Sequence, residues 1–452
     1  MIFSKRLQTI ILLFGDLLFF YTALLITLII RYKLGVSLLE QIPTRTFSQT
    51  LDIHKWPFFC IHLLWILIFY INGLYNIKSF PSPKTVLSKI LETMLIGGIV
   101  AILIFYLVPS FEITPKTNLL IDIFIVTSFL MLWRRFFWLF VSKASKIKVL
   151  FFGSSKEVES LTDYLRTNAQ LGYESTVILA SVNHNLIDLI RENKIQVIVA
   201  SQNIMEDDNT VKKFYEVLPL GVSIIDFPTF YENITEKIPV SVINESWFLV
   251  NLVEINKRLF ESFKRIIDII LSIILGVPTL ILFPFIAALS KIESRDKILV
   301  RQLRVGKNGK PFTLIKFRSM YYTSEIDGKV KWTDEKDKRI TKIGKILRKT
   351  RIDELPQIWN VLKGDMSFIG PRPERPEFVE ELQKEIPHYA MRHLVKPGLS
   401  GWAQIKFSYG ASIEDAMEKL QYDLYYIKNR SLILDLAIMA RTIATVISHG
   451  GR

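Results

Sequence analysis

Long apolar runs and short alternating ones divide this chain of 452 residues into three regions. The first region holds four apolar runs, at about residues 7–30, 56–74, 90–108 and 119–141. Each run approaches or exceeds the ~20 residues that a helix needs to cross the hydrocarbon core of a bilayer. The pattern therefore predicts an α-helical membrane bundle of four spans over residues 1–145.

The pattern changes after Lys146, where short β-rich runs alternate with polar helical stretches. Residues 148–152, 175–180, 196–200 and 222–226 have the composition of buried strands. Strands that alternate with helices are typical of an α/β fold, and we predict a degenerate Rossmann-like domain over residues 146–251. Its first turn has Gly153 alone, where a dinucleotide-binding fold has Gly-x-Gly-x-x-Gly. We therefore expect a structural or regulatory module here rather than a nucleotide site.

A single apolar run at about residues 264–290 opens the third region, residues 252–452. The run is long enough to cross a bilayer, but Gly276, Pro278 and Pro284 interrupt its middle. Proline removes a helical hydrogen bond and bends the helix axis. We predict a re-entrant helix hairpin with its bend at Pro278, which enters the membrane and returns to the same side. A kinked crossing is the alternative.

Charge changes this picture, because half of the residues are hydrophobic and yet the formal net charge is +14. Such a chain fits a membrane protein that faces anionic headgroups or binds polyanionic substrates. Nucleic acid is the rival explanation, and the long apolar spans argue against it. Lysines and arginines near both ends of the predicted bundle favour a cytoplasmic location for those ends, although the loop with Arg31, Lys33 and Arg45 argues the other way. Cys60 is the only cysteine, which excludes an internal disulfide.

Two adjacent carboxylates, Asp353 and Glu354, stand out in the third region because arginines and lysines flank them. Glycines and prolines over residues 364–373 predict a rigid turn that brings further arginines towards the pair. The grouping combines a potential nucleophile or metal ligand with cations able to hold phosphate oxygens. For a bare Asp-Glu pair, solvated charges at a helix end are the alternative.

Five motifs follow one another in the third region: Arg-Gln-Leu-Arg-Val-Gly (301–306), Lys-Phe-Arg-Ser-Met (316–320), Asp-Glu-Leu-Pro-Gln (353–357), Gly-Asp-Met-Ser-Phe-Ile-Gly-Pro-Arg-Pro (364–373) and Lys-Pro-Gly-Leu-Ser-Gly-Trp-Ala-Gln (396–404). Together they resemble the bacterial polyprenyl-phosphate sugar-1-phosphate transferases, the monotopic phosphoglycosyl transferases of exopolysaccharide and O-antigen initiation. The resemblance covers residues 264–452, and the first two regions match the long, WbaP- and WcaJ-like architecture of that family. Where the family has threonine, this chain has Ser319 and Ser400, which keep a hydroxyl.

The resemblance implies an α+β monotopic catalytic domain over residues 252–452 and a double-displacement reaction. Asp353 would attack the sugar-bearing phosphorus of a UDP-sugar, expel UMP and hold a covalent phosphosugar. Undecaprenyl phosphate would then accept the phosphosugar. Glu354 would hold Mg²⁺ together with Asp353, or orient the acceptor. The candidate contacts to phosphate and nucleotide are Lys316, Arg318, Arg351, Arg372 and Arg375, each with a structural ion pair as the alternative.

The implied partners are a UDP-sugar, undecaprenyl phosphate and the lipid bilayer, with no nucleic acid, and the architecture is compatible with a homodimer. The implied location is the bacterial inner membrane, with the active site facing the cytoplasm. The motifs concern the binding of phosphate and uridine, so they do not identify the hexose that is transferred. Two other functions stay open as well. One is a catalytically inert scaffold of a polysaccharide-assembly complex. The other is a membrane-bound nucleotide-sugar dehydratase, which would need an intact glycine fingerprint followed by Tyr-x-x-x-Lys.

Overall fold

The chain divides into two compact units, Met1–Phe227 and Pro228–Arg452. The computed structural model describes residues 5–32, 47–75, 83–108, 116–143, 146–168, 171–179, 186–201, 204, 207–252, 257–293, 297–321, 339–407, 410 and 412–447. Lys33 and Arg45, which entered the prediction of membrane orientation, lie outside these residues. The domain boundaries at residues 145 and 251 stay predictions, while Ile238 and Trp247 belong to the core of the second unit.

Four helices pack together at the start of the first unit: α1 (Lys5–Tyr32), α2 (Phe47–Ile71), α3 (Pro83–Leu107) and α4 (Lys116–Lys143). Helix α1 packs against α2 and α4, and α3 packs against the same two helices. Gly97 of α3 lets the Trp65 indole approach closely, since an added Cβ would lie 3.0 Å from the ring. The indole Nε1–H donates to the Gly97 carbonyl at 2.9 Å. Small residues allow such close contacts between apolar helices.

Two pairs of ionisable side chains lie inside this bundle. Arg134 Nη2 donates to Asp16 Oδ2 at 2.6 Å, and both side chains are buried. His62 Nε2 lies 3.3 Å from Asp122 Oδ2, again between buried side chains. Ionisable groups in apolar helices usually face the bundle interior and pair with one another. The pairs therefore join α1 to α4 and α2 to α4 through contacts that only one helix register can make.

Four described helical segments are long and apolar enough to cross a membrane: Thr9–Tyr32, Phe47–Tyr70, Val86–Leu107 and Arg258–Glu293. Helix α4, predicted from the sequence as the fourth span, forms over 28 residues and packs in the bundle. It is not among those four segments, and it carries Asp122, Arg134 and Arg135. The number of crossings in the bundle therefore stays a prediction.

A parallel four-stranded sheet completes the first unit, in the order β2-β1-β3-β4. Its strands are β1 (Ile147–Phe152), β2 (Tyr173–Leu179), β3 (Val197–Ala200) and β4 (Ser223–Asp226). The helices between them are α5 (Lys156–Thr167), α6 (Leu186–Asn193) and α7 (Asp208–Val217). The apolar runs of β1 and β3 are buried, which explains their unbroken hydrophobic sequences. The predicted α/β region is confirmed.

The second unit is a mixed α+β structure with small sheets. Its helices are α8 (Phe227–Thr235), α9 (Glu245–Asn251), α10 (Arg258–Glu293), α11 (Lys342–Lys349), α12 (Ile358–Lys363), α13 (Pro376–Glu385), α14 (Trp402–Lys406), α15 (Ile413–Asn429) and α16 (Leu432–Ile447). Its strands are β5 (Leu299–Val305), β6 (Pro311–Phe317), β7 (Ser367–Ile369) and β8 (Gly398–Ser400). Strands β5 and β6 pair antiparallel and form a β-hairpin. Strands β7 and β8 pair parallel.

Helix α10 is continuous over 36 residues, with Pro278 and Pro284 inside it. The sequence predicts a hairpin here, and the structure has one unbroken helix instead of two arms joined by a loop. Both ends of α10 pack on the second unit, through Arg265 near the start and Ile286 near the end. Between them, nearly every side chain of residues 273–282 is exposed, so no face of the helix is covered for almost three turns.

Replacement of Arg134 by leucine is expected to destabilise the bundle, because Asp16 then stays buried without its partner. The cost of such an unpaired charge is about 3–5 kcal/mol. Thermal denaturation of the detergent-purified protein, followed by size-exclusion chromatography, measures it. The double variant Asp16→Leu/Arg134→Leu should recover most of the loss. Arg135→Leu, at the next and exposed position, is the matched control, and an equal loss there would contradict the prediction.

Candidate active site

Asp353 and Glu354 lie on a short 3₁₀ helix, Ile352–Gln357, directly after α11. The residue before it, Arg351, has a φ of 58°, a left-handed conformation that redirects the chain out of α11. The redirected helix points its carboxylates inward, and they are 8% and 9% exposed. The alternative of solvated charges at a helix end is therefore wrong.

Asn360 on α12 holds the neighbouring strand β6 in place beside these carboxylates. Its Nδ2–H donates to the Thr313 carbonyl at 2.7 Å, and its Oδ1 accepts from the Ile315 backbone N–H at 3.1 Å. The buried Asn360 side chain thus replaces backbone pairing along that edge of β6. The next residue of the strand is Lys316, which is thereby directed towards the carboxylate pair.

Asp353 is buried and Lys316 is half-buried, and the charge of each acts on the other. Burial, and next the charge of Glu354, raise the pKa of Asp353 to about 6, against the opposing effect of Lys316 and Arg348. Burial, and next the charge of Arg304, lower the pKa of Lys316 to about 8. Asp353 Oδ1 is buried and has no hydrogen-bond partner among the described residues. The site therefore contains a carboxylate oxygen that lies in a cationic environment and forms no hydrogen bond with the described residues.

Glu354 is held differently, by direct contact with two arginines. Arg372 Nη2 donates to Glu354 Oε1 at 2.9 Å, and Arg351 Nη1 lies 3.4 Å from the same oxygen. Burial acts to raise the pKa of Glu354, but the charges of Arg372 and Arg351 outweigh it and the pKa lies below its ordinary value. Glu354 is therefore ionised at neutral pH, and it fixes the side chain of Arg372, about half of which is exposed.

A buried charge network positions the backbone of Arg372. Gly370 packs so tightly against the segment before β8 that an added Cβ would lie 2.4 Å from the Lys396 carbonyl oxygen. Two residues further on, the Arg372 carbonyl accepts a hydrogen bond from Arg392 Nη2 at 3.0 Å. The same Arg392 nitrogen lies 2.8 Å from Asp423 Oδ2 on α15. Arg392 and Asp423 are far from the carboxylate pair in sequence, and the sequence reasoning did not identify them.

The remaining residues predicted for the site have other surroundings than the carboxylate pair. Arg318 follows the end of β6, where its Nε–H donates to the Lys297 carbonyl at 2.8 Å. Arg375 precedes α13, and its charge acts on Arg304. Pro278 lies in the exposed middle of α10. The sequence reasoning left out Arg304 and Arg348 from the site, although Arg304 stands in a motif and both act on Lys316.

The described residues contain no cluster of three or more histidine, cysteine or acidic side chains placed to hold a metal ion. The carboxylate pair does offer Asp353 Oδ1, an oxygen with no protein partner. Mg²⁺ usually takes one or two protein carboxylates together with substrate phosphates and water. Asp353 and Glu354 therefore fit a magnesium ion that is shared with phosphates of a substrate.

The geometry defines a class of site: a buried carboxylate oxygen without a partner, surrounded by lysine and arginine, beside an arginine with an exposed flank. Comparison with known proteins identifies the family. The sequence model of the bacterial sugar transferase family matches residues 259–449.

Similar proteins carry consistent names. The chain is 46% identical over 194 residues to a UDP-N-acetylgalactosamine-undecaprenyl-phosphate N-acetylgalactosaminephosphotransferase of Aeromonas hydrophila. The aligned residues are 43% of this chain and 45% of that protein. The chain is 34% identical over 273 residues to a UDP-glucose:undecaprenyl-phosphate glucose-1-phosphate transferase of Xanthomonas campestris pv. campestris, 58% of this chain and 55% of that one. It is 39% identical over 188 residues to the uncharacterized sugar transferase EpsL of Bacillus subtilis (strain 168), 42% of this chain and 89% of the relative.

The chain belongs to the bacterial sugar transferase family, as the five motifs indicate. It spans about half the length of the Aeromonas and Xanthomonas relatives that it matches. The matched region begins near the start of α10 and contains the carboxylate pair, Lys316 and Arg372. The family match therefore lies on the second unit, which holds the candidate active site.

Asp353→Asn is expected to stabilise the second unit at alkaline pH. Because the folded pKa of about 6 exceeds the ordinary 3.8, the wild-type protein loses stability as the pH rises through 6. The loss in the free energy of unfolding is on the order of 2–3 kcal/mol. It is absent below the pKa that Asp353 has in the unfolded chain. Thermal unfolding at pH 4 and pH 8 should show a gain for Asp353→Asn at pH 8 only. Glu381→Gln, an exposed carboxylate on α13, is the control, and a pH-independent gain would contradict the prediction.

Proposed function

We propose that this protein transfers a sugar 1-phosphate from a UDP-sugar to undecaprenyl phosphate and releases UMP. The observation that carries the proposal is the buried Asp353, whose Oδ1 has no described partner and whose surroundings supply Lys316, Arg348 and Arg372. The names of the Aeromonas and Xanthomonas relatives support this donor class and this acceptor. The reaction would be the first membrane step of exopolysaccharide, O-antigen or capsule synthesis.

Asp353 is proposed as the nucleophile of a double displacement. In the first step its carboxylate oxygen forms a bond to the sugar-bearing phosphorus. The bond from that phosphorus to the bridging oxygen breaks, and UMP leaves with the electron pair. In the second step a phosphate oxygen of undecaprenyl phosphate attacks the same phosphorus, and the Asp353 carboxylate leaves. With a pKa of about 6, Asp353 is largely ionised at neutral pH and needs no separate base.

The cations around Asp353 have separate proposed tasks. Arg372 is oriented by Glu354, and its exposed flank is available to a phosphate oxygen of the donor. Lys316 is half-buried and acts on Asp353, where its charge stabilises the carboxylate before attack and the transferred phosphoryl group afterwards. Magnesium, held by Asp353 or Glu354 with the substrate phosphates, would neutralise the charge of the diphosphate.

The placement of α10 supports a re-entrant helix at the cytoplasmic face of the inner membrane. Its two ends pack on the same unit, and the exposed apolar stretch between them includes Pro278. A straight helix on the surface of a unit keeps one face covered along its length, whereas nearly every side chain in the middle of α10 is exposed. A bend at Pro278 would bury the apolar stretch in lipid and keep Asp353 near the headgroups, where a lipid phosphate and a soluble nucleotide sugar meet.

Label transfer from a panel of UDP-sugars to undecaprenyl phosphate, in purified membranes with and without Mg²⁺, tests the reaction. The wild-type protein should make labelled lipid and release UMP. Asp353→Asn should lose at least about a thousandfold in rate, because the nucleophile is removed. Without acceptor, the intact mass of the wild-type protein should increase by one sugar phosphate, and that of Asp353→Asn should not.

Glu381→Gln serves again as the control, since its carboxylate is exposed on α13, and it should transfer at the wild-type rate. Labelled lipid that persists in Asp353→Asn would remove Asp353 from the nucleophile role. Transfer without any mass increase would replace the double displacement by direct attack of the acceptor. Absence of product from every donor would favour the inert scaffold.

Cysteine labelling tests the re-entrant helix. In a Cys60→Ser background, Ser262→Cys and Ile292→Cys place one thiol near each end of α10, and Leu280→Cys places one in its exposed middle. A membrane-impermeant maleimide should label both ends in inside-out vesicles and neither in right-side-out vesicles. The middle thiol should be protected in both by lipid. Labelling of the two ends from opposite sides would identify a crossing helix.

A further inference from the structure

A small polar cleft lies beside the first part of α10, apart from the carboxylate pair. Its lining includes Arg265, Asp268, Ser367 and Lys396. A shallow apolar groove adjoins it, shares Asp268 with it and runs between α10 and α16. The combination is amphiphilic, with a charged cleft beside an apolar groove.

Two cations converge in the polar cleft. Arg265 is fixed, because its Nη1 and Nη2 donate to the carbonyls of Val361 and Leu362 at 2.6 Å each. A Cβ added at Gly364 would lie 3.5 Å from Arg265 Nη2 and 3.6 Å from Lys396 Nζ, so both cations face one point. In the described part of the chain, Lys396 Nζ forms no hydrogen bond or ion pair. Burial, and next the charge of Arg265, lower the pKa of Lys396, and a bound anion would relieve the repulsion.

The neighbouring charges are already paired. Lys264 Nζ donates to Asp435 Oδ2 at 2.5 Å, and Arg430 donates to Glu261. Asp268 Oδ1 accepts from the Phe368 backbone N–H at 3.1 Å and from the Ser367 hydroxyl. Arg265 and Lys396 are therefore the pair that attracts an anion into the cleft.

The groove and its surroundings are apolar. Ile267, Leu271, Leu436 and Met439 line the groove between the two helices. Elsewhere on the same helices, exposed apolar side chains mark the surface that would face lipid: Leu259, Phe263, Ile266 and Ile433. A ligand that satisfies both parts carries a phosphate at one end and an apolar chain at the other.

This cleft is too far from Asp353 to be the place of phosphoryl transfer. The carbonyls that hold Arg265 are at the C-terminal end of α12, whereas Asp353 precedes its N-terminal end. The intervening 3₁₀ and α-helical turns rise about 14 Å. Reacting atoms must approach within about 3–3.5 Å. A phosphate in this cleft is therefore not in contact with the reacting centre.

We propose that Arg265 and Lys396 bind the phosphate of a membrane phospholipid whose acyl chain lies in the groove between α10 and α16. Such a lipid would hold the second unit against the bilayer independently of the transfer reaction. The proposal rests on the placement of α10 in the membrane and not on the chemistry at Asp353.

Native mass spectrometry of the detergent-purified full chain, titrated with phosphatidylglycerol and without a UDP-sugar, tests this binding. The wild-type protein should retain one tightly bound lipid. Lys396→Gln should weaken the Kd about tenfold, the effect of one charge-assisted hydrogen bond. Lys396→Arg should keep the affinity, which excludes a folding defect as the cause. Lys363→Gln, which removes an exposed lysine paired with Asp365, is the matched control and should bind as the wild type does.

Competition identifies the ligand class. Millimolar inorganic phosphate should leave the lipid bound, because it lacks the acyl chain. Displacement by inorganic phosphate would overturn the lipid assignment in favour of a free anion. Displacement by undecaprenyl phosphate at lower concentrations than phosphatidylglycerol would assign the cleft to the acceptor. Equal lipid retention by Lys396→Gln and the wild type would remove Lys396 from the site.

Discussion

The burial of two adjacent carboxylates is the constraint on which the second unit depends. A buried carboxylate is costly unless cations or hydrogen bonds compensate it. Glu354 obtains its compensation from direct contact with Arg372, whereas nearby charges compensate Asp353 only in part, and one of its oxygens has no partner among the described residues. One carboxylate is thereby made structural and the other is left available, although the two residues are neighbours in the same short helix.

That division depends on residues that reach the site from distant parts of the chain. Asn360 holds β6 so that Lys316 faces Asp353. Arg392 holds the carbonyl of Arg372 and is itself paired with Asp423. An arginine side chain has many rotamers, and anchoring both its backbone and its guanidinium reduces the entropy lost when a phosphate binds. The arrangement is thus preorganised for an anion before any substrate arrives.

Helix α10 is likewise attached to the second unit at a few defined points. Charged residues tie its start to the unit: Lys264 contacts Asp435, Arg265 contacts α12, and Asp268 contacts β7. Apolar contacts around Ile286 tie its end. Among the described residues, the stretch between these attachments has no neighbour that covers its apolar side chains, and the proposed membrane placement would supply the missing environment. The proposed phospholipid would add a further attachment to the bilayer, beside α10 and α16.

Much of the architecture follows from local sequence. Apolar runs of membrane length, the strand pattern of the α/β region and the hairpin at residues 299–317 depend on hydrophobic period and turn residues, which short windows of sequence carry. The five motifs likewise indicated the family, and they pointed to Asp353, Glu354 and Arg372, which the structure brings together. For these features the physical cause lies within a few neighbouring residues.

Tertiary structure decided which of the flanking charges act on the carboxylate pair. Lys316, Arg348 and Arg372 act on Asp353, whereas Arg318 binds a backbone carbonyl at the end of β6. It also decided that α10 is one continuous helix with both ends on the same unit, and that Arg265 meets Lys396. Several of these outcomes depend on pairs that lie far apart in the sequence, 37 positions for Lys316 and Asp353 and 131 for Arg265 and Lys396. Local periodicity carries no information about such contacts, because they form only when the elements pack.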